Sequence, residues 1–240
     1  MLQQIIKKAK SLYSKERAEH SKYFFKTAPG QYGAGDVFWG LNVPEMKSIA
    51  KDYQELDLKN VTELLKDKVH ELRLIGLTIL VEKYQKAKAD NERKEIYNFY
   101  IKHRAAANNW DLVDLSVYKI MGDYLLRHKE ERKILYQFIK SKNLWERRLA
   151  MVSCVAFIRF GETEDTIKLA TALLNDKEDL MHKASGWMLR ELGKRDKKVL
   201  TNFLNSHADK MPRTMLRYAI EKFPEKERQK YLKIKRQKTL

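Results

Sequence analysis

Asp114 is the carboxylate of this chain that has the company chemistry needs. Trp110 lies four residues before it, so on a helix the indole and the carboxylate share one face. Arg148 stands in the first turn of a later apolar stretch, and Trp187 in the first half of another. Electron-rich indole faces attract cations. A fixed carboxylate stabilises positive charge as it develops and orients a water. Each residue alone has a plainer reading. A tryptophan at helical spacing packs a core. Asp111 and Asp114 near a helix start favour the helix dipole, and Arg148 can pair with Glu146. The four matter together, and only if the elements that bear them bring them to one surface.

Other chemistries find no support in the residue pattern. The six histidines (His20, His70, His103, His128, His182 and His207) show no metal-ligand spacing among themselves or with Cys154, so no metal site is read. There is no phosphate loop of the Walker type and no serine in a nucleophile-elbow pattern. The stretch from Gly30 to Gly35 does not follow a strand, so it is no dinucleotide fingerprint, and no cofactor is expected.

The elements that must position these residues read as helices. Apolar residues recur at three- and four-residue spacing with charges between them, as in Leu72, Ile75, Ile79 and Leu80, and no two-residue alternation argues for a sheet. Four of the nine glycines fall between Pro29 and Gly40, the one long loop. Helix starts are read at Asn60, Asn108 and Asn143, each with a carboxylate three residues on, and after Asp176; Gly193 is read as a helix stop.

Five apolar helices open with a polar first turn, at Glu71, Trp110, Trp145, His182 and Arg213. Their spacing is roughly 30–40 residues, the range of helix-pair repeats that stack into a solenoid. The expectation is an all-α, curved solenoid of stacked antiparallel helix pairs. It forms one HEAT-like domain over 1–240, with a glycine-rich loop at about 29–40 and a basic tail at about 226–240. In such a stack the first turns share one rim, where Arg73, Arg148, Lys183 and Arg213 would project. The tail reads as a frayed, solvated end.

Lys and Arg total 49 against 32 Asp and Glu, a net charge of +17. That surplus fits a partner that is nucleic acid, an acidic membrane surface or an acidic protein, and equally a solvated basic face. The lone Cys154 sits in the apolar run 149–158 as a core residue, and it fits a reducing compartment. No segment is apolar enough to span a bilayer, and residues 1–10 carry no secretory signal. The expected setting is the cytoplasm, at the nucleoid, with no membrane partner and a monomer as the default.

The residues assembled so far resemble a known family, the DNA alkylation repair glycosylases of the AlkD-like type, over nearly the whole chain. The resemblance rests on Phe38-Trp-Gly-Leu-Asn-Val-Pro44, Trp110-Asp-Leu-Val-Asp114, Gly122-Asp123, Trp145-Glu-Arg-Arg148 and Lys183-Ala-Ser-Gly-Trp-Met-Leu-Arg-Glu191. It implies a helical solenoid gripping double-stranded DNA, and release of purines alkylated at N3 or N7 as a step of base excision repair. By matching motif, Asp114 would be the catalytic carboxylate, with Trp110 and Trp187 touching the lesion nucleotide. Arg148 would hold phosphate, and Lys183, Arg190, Arg73 and Arg213 complete the DNA-binding set. The family's N-terminal tyrosine is not matched; the position reads as a phenylalanine, with Tyr23 and Tyr32 both open as substitutes.

That activity suits these residue types. An alkyl group on N7 or N3 makes the purine cationic and a good leaving group, and positive charge then develops on the sugar. No general acid is needed. Asp114 would stabilise the oxocarbenium-like state, and the indoles would favour the charged nucleotide by ~0.5–2 kcal/mol each. No insert offers a pocket for a flipped base. The competing expectations are a catalytically inactive DNA-binding paralogue, and a scaffold that binds an acidic protein.

Overall fold

The computed structural model describes residues 1–236, and they are helical. Among them there is no strand, only an isolated parallel bridge between Val37 and Val69. The contacts of the described residues fall into two compact units, divided between Tyr124 and Leu125.

The first unit contains α1 (Leu2–Ser11), α2 (Lys15–Phe24), α3 (Val43–Asp52), α4 (Leu58–Leu65), α5 (His70–Lys86), α6 (Asp90–Lys102) and α7 (Trp110–Ser116). Its centre is α5, which packs against α3, α4, α6 and α7. Residues 70–81 of α5 are buried on every side, as a helix surrounded by others must be. After α7 the chain makes one π-helical turn (Tyr118–Gly122), with Gly122 N–H donating five residues back to Val117 at 2.9 Å. Helix α8 (Asp123–Arg127) follows.

The second unit contains α9 (Lys133–Phe138), α10 (Leu144–Arg159), α11 (Glu164–Ala172), α12 (Asp179–Arg195), α13 (Lys197–His207), α14 (Arg213–Ala219) and α15 (Glu225–Leu232). Helices α10, α12 and α14 stack in a row, with α11 and α13 packed beside them. This is the helix-pair layering expected of HEAT-like repeats. The run from Leu149 to Ile158 is buried throughout α10. Burying each large side chain there stabilises the fold by about 1.5–3 kcal/mol. Cys154 is one of these core residues, and burial pushes its thiol up to about 12, so it is inert as a nucleophile.

Several local readings need correction. Helix α4 is capped by Asp57, not Asn60: the Asp57 carboxylate accepts from Asn60 N–H at 2.8 Å. The cap of α7 is Asn109 rather than Asn108. Asn143 does cap α10. Gly193 lies inside α12 and does not end it; a Cβ there would collide with Leu200 of α13, so the glycine permits close helix approach. The tail is no frayed end over its described part. It forms α15, with Tyr231 buried and hydrogen bonded to Asn205 at 3.1 Å. Residues 237–240 of the tail lie outside the described residues.

Candidate functional site

The first turn of α5 holds the glycine-rich loop against the fold. His70, Glu71 and Arg73 are all buried, and each reaches back to the loop. The Glu71 carboxylate accepts from the backbone N–H groups of Trp39, Gly40 and Leu41 at 2.7–3.3 Å. Gly40 has a positive φ of 81°, and a Cβ there would collide with the Ser14 carbonyl, so this approach requires glycine. Arg73 donates to Asp36 at 2.7 Å and to the carbonyls of Asp67 and Lys68. The expectation that Arg73 projects from a DNA-facing rim is therefore corrected. The residue is 5% exposed, and its guanidinium is engaged inside the fold.

His70 joins this loop to α7. Its Nδ1 lies 3.1 Å from Asp36 and its Nε2 2.8 Å from Asp111. Burial alone would lower the imidazole pKa. The hydrogen bonds to Asp111 and Asp36 outweigh it and lift the pKa to about 8. An imidazolium donates from both nitrogens, so it satisfies both carboxylates at once. The Asp36 side chain is only 4% exposed; burial alone would raise its pKa, yet His70 and Arg73 hold its carboxyl below the usual range.

Above this network stands an aromatic stack that ends at Trp110. Phe38 stacks on His70 at 4.6 Å, Phe25 on Phe38 at 5.1 Å, and Phe25 on Trp110 at 5.4 Å. Phe24 meets Trp110 edge-on at 5.8 Å and is exposed. The aromatic beside Trp110 is thus a phenylalanine; Tyr23 is exposed under Lys26, 4.6 Å from its ring. Trp110 itself is partly exposed, and its backbone N–H donates to the Asn109 side-chain oxygen at 2.9 Å. Asp114 is also partly exposed, one turn on. Beneath it Tyr100 is buried and hydrogen bonded to Ser116 at 2.9 Å. Burial raises the Tyr100 pKa, and the charge of Asp114 adds to the rise. The π-helical turn then begins two residues after Ser116; such turns are frequent at functional sites.

The second unit holds Arg148, Lys183, Trp187, Arg190 and Arg213. Trp187 is partly exposed and lines a cavity of about 370 Å³ with Val155, Ile158, Arg159, Glu191, Lys194 and Arg195, of which Glu191 and Lys194 pair at 2.8 Å. Arg148 is 5% exposed and donates to the Leu180 carbonyl at 2.8 Å, tying α10 to the start of α12. It does not stand out from a rim. Lys183 pairs with Asp179 at 2.8 Å on one helix face. Arg190 pairs with Glu221. Arg213 donates to the carbonyls of Leu232 and Ile234 at 2.7 and 3.0 Å, closing the end of α15, so its guanidinium is engaged structurally.

Sequence reasoning left Asp36 unread, took Asp111 only as a helix-dipole charge and His70 only as no metal ligand, and expected a phenylalanine at the N-terminal position without placing Phe24 and Phe25 against Trp110. One signal was available: a histidine, a glutamate and an arginine crowd the start of a wholly apolar helix, and such charges are buried only with partners.

Comparison with known proteins agrees with this architecture. A family profile described as "DNA alkylation repair enzyme" matches residues 5–223. No curated protein matches the chain. A solved structure described as "Predicted DNA alkylation repair enzyme from Enterococcus faecalis" is 17% identical, covering 89% of this chain and 97% of its own, with a TM-score of 0.69. At that identity the likeness is one of fold.

Proposed function

The chain belongs to the DNA alkylation repair enzyme family, and from that premise we propose that it is a DNA N-glycosylase acting on cationic, N3- or N7-alkylated purines. The observation that carries the reading is Asp114 beside Trp110, one helical turn apart, both partly exposed on a buried, cross-braced base. The lesion brings its own positive charge, so the reaction asks the protein for little covalent chemistry. Asp114 supplies negative charge to the sugar as the glycosidic bond breaks, and orients the attacking water. The electron-rich face of Trp110 favours a cationic nucleotide over a neutral one. Bracing by Phe25 and the His70 network keeps the indole in place, so no reorganisation is needed during the reaction. In this reading Trp187 is the second lesion contact, with Arg159 and Arg195 in its cavity wall supplying positive charge beyond the Lys194–Glu191 pair for flanking phosphates. The base itself is not enclosed, and bulky adducts are tolerated.

The test is release of free base from duplex DNA containing 7-methylguanine, set against an unmodified duplex. The parent protein releases base from the damaged duplex alone. Asp114→Asn lowers the single-turnover rate by about 100-fold or more, as expected when one preorganised charge is removed, and leaves duplex binding intact. Binding without release by the parent would mark a non-catalytic paralogue. Absence of binding at low salt would favour a scaffold for an acidic protein. We further propose a cytoplasmic, nucleoid-associated monomer, tested by fractionation and by light scattering.

A further inference from the structure

A cavity of about 460 Å³ in the first unit has no part in the chemistry above. It opens between three connecting segments: residues 34–36 of the glycine loop, 65–68 between α4 and α5, and 102–108 between α6 and α7. Lys66, Lys68 and Lys102 are exposed around it, and buried Arg73 lies in its wall. Among the described residues neither Lys68 nor Lys102 enters an ion pair, and Lys66 has only an exposed contact with Glu63 at 3.6 Å.

The acids in the wall are already engaged. Asp36 is held by His70, Arg73 and Asn108, and Asp67 accepts from Val69 N–H at 2.8 Å. Lys66, Lys68, Lys102 and Arg73 outnumber the two carboxylates of the wall, so the field inside is net positive. His103, also in the wall, senses it: burial lowers its pKa, and the charges of Lys102 and Lys66 lower it further. At Gly35, with φ of 91°, nothing lies within 4 Å of where a Cβ would sit, so the loop leaves the mouth open.

We propose that this cavity is a subsite for a backbone phosphate of duplex DNA. Ammonium groups on flexible stems bind phosphate as converging point charges. Asn108 is shared between the cavity wall and the Asp36 network, and it stands two residues before Trp110. A phosphate seated there anchors the strand next to the indole. The proposal rests on the DNA-binding part of the reading above and is independent of base release.

The experiment uses the full chain and an undamaged duplex, with affinity measured across a salt series. The variant K66Q/K68Q/K102Q empties the rim of charge. The variant K7Q/K10Q/K15Q removes the same charge from exposed positions on α1 and α2. The expected result is a loss of affinity on the order of 10- to 100-fold at 0.1 M salt for the rim variant, with its salt slope reduced by roughly 2 to 3. The control loses much less. Duplexes carrying one neutral methylphosphonate at successive positions then locate the contact: one position weakens the parent and the control but not the rim variant. Equal losses in the two variants, or methylphosphonate sensitivity unchanged in the rim variant, overturns the proposal. So does inorganic phosphate raising the parent's Tm while duplex affinity is insensitive to the rim lysines; that result marks a site for the free anion. If no base is released yet the rim lysines still govern duplex affinity, the glycosylase reading fails and the subsite stands.

Discussion

The first turns of α5 and α12 look alike as sequence and do different work. Each opens an apolar helix with a histidine and basic residues, His70-Glu-Leu-Arg73 in one and His182-Lys183 in the other. In α5 these side chains are buried and locked to a loop that lies more than thirty residues back. In α12 they stay local, Lys183 pairing with Asp179 at the surface and His182 with the Asp176 carbonyl. The same contrast holds for the two tryptophans these units present. Trp110 is braced by Phe24 and Phe25, whereas among the described residues no aromatic ring contacts Trp187, which borders an open cavity of mixed apolar and charged lining. A polar first turn thus supports a rigid platform only where a distant acid closes on it.

The largest effect expected from this difference is on stability. Asp36→Ala leaves His70 and Arg73 buried with one partner removed, and breaking such a pair costs about 3–5 kcal/mol. Lys183→Ala removes an exposed pair and costs less than about 1 kcal/mol. Denaturant titration of both variants measures the gap; similar losses would erase the distinction between the two turns.

The next effect is on pH. The folded pKa of His70, about 8, lies above its ordinary 6.5. A raised histidine pKa means that the folded state holds its proton more tightly. The stabilisation is complete below about 6.5 and is lost as pH rises through about 8. It amounts to about 2 kcal/mol. Thermal melts between pH 6 and 9 should show this decline for the parent, and His70→Gln should flatten it. An unchanged profile in the variant would mean that the decline arises elsewhere.

The smallest effect compares the indoles. Trp110→Leu and Trp187→Leu should each lower release of 7-methylguanine by the cation–π contribution, ~0.5–2 kcal/mol or roughly 2- to 30-fold. Only Trp110→Leu should also lower Tm, because its ring is part of a packed stack. Equal shifts in Tm would show that bracing does not separate the two.

Much of the fold was legible because helical periodicity and capping are local. The five polar first turns do open α5, α7, α10, α12 and α14. Position 143 caps its helix as written, while positions 60 and 108 misled because Asp57 and Asn109 nearby take the cap, and Gly193 misled because it serves helix packing against Leu200. The pairing of Trp110 with Asp114 was likewise readable, since four residues make one turn. The destination of the arginines was not. Arg73, Arg148 and Arg213 each answer to carbonyls or acids supplied by another element, and spacing along one helix carries no information about those partners.

The sequence by itself determined the helical class, the positive charge, and the turn that places one carboxylate beside one indole. Tertiary structure alone decided which charges face solvent and which are consumed as internal ties. It also decided that a glycine loop, an imidazole and three phenylalanines hold the indole still. The physical reason is range. Periodicity and caps are settled within a few residues, while burial of a charge depends on counter-charges that only folding brings near.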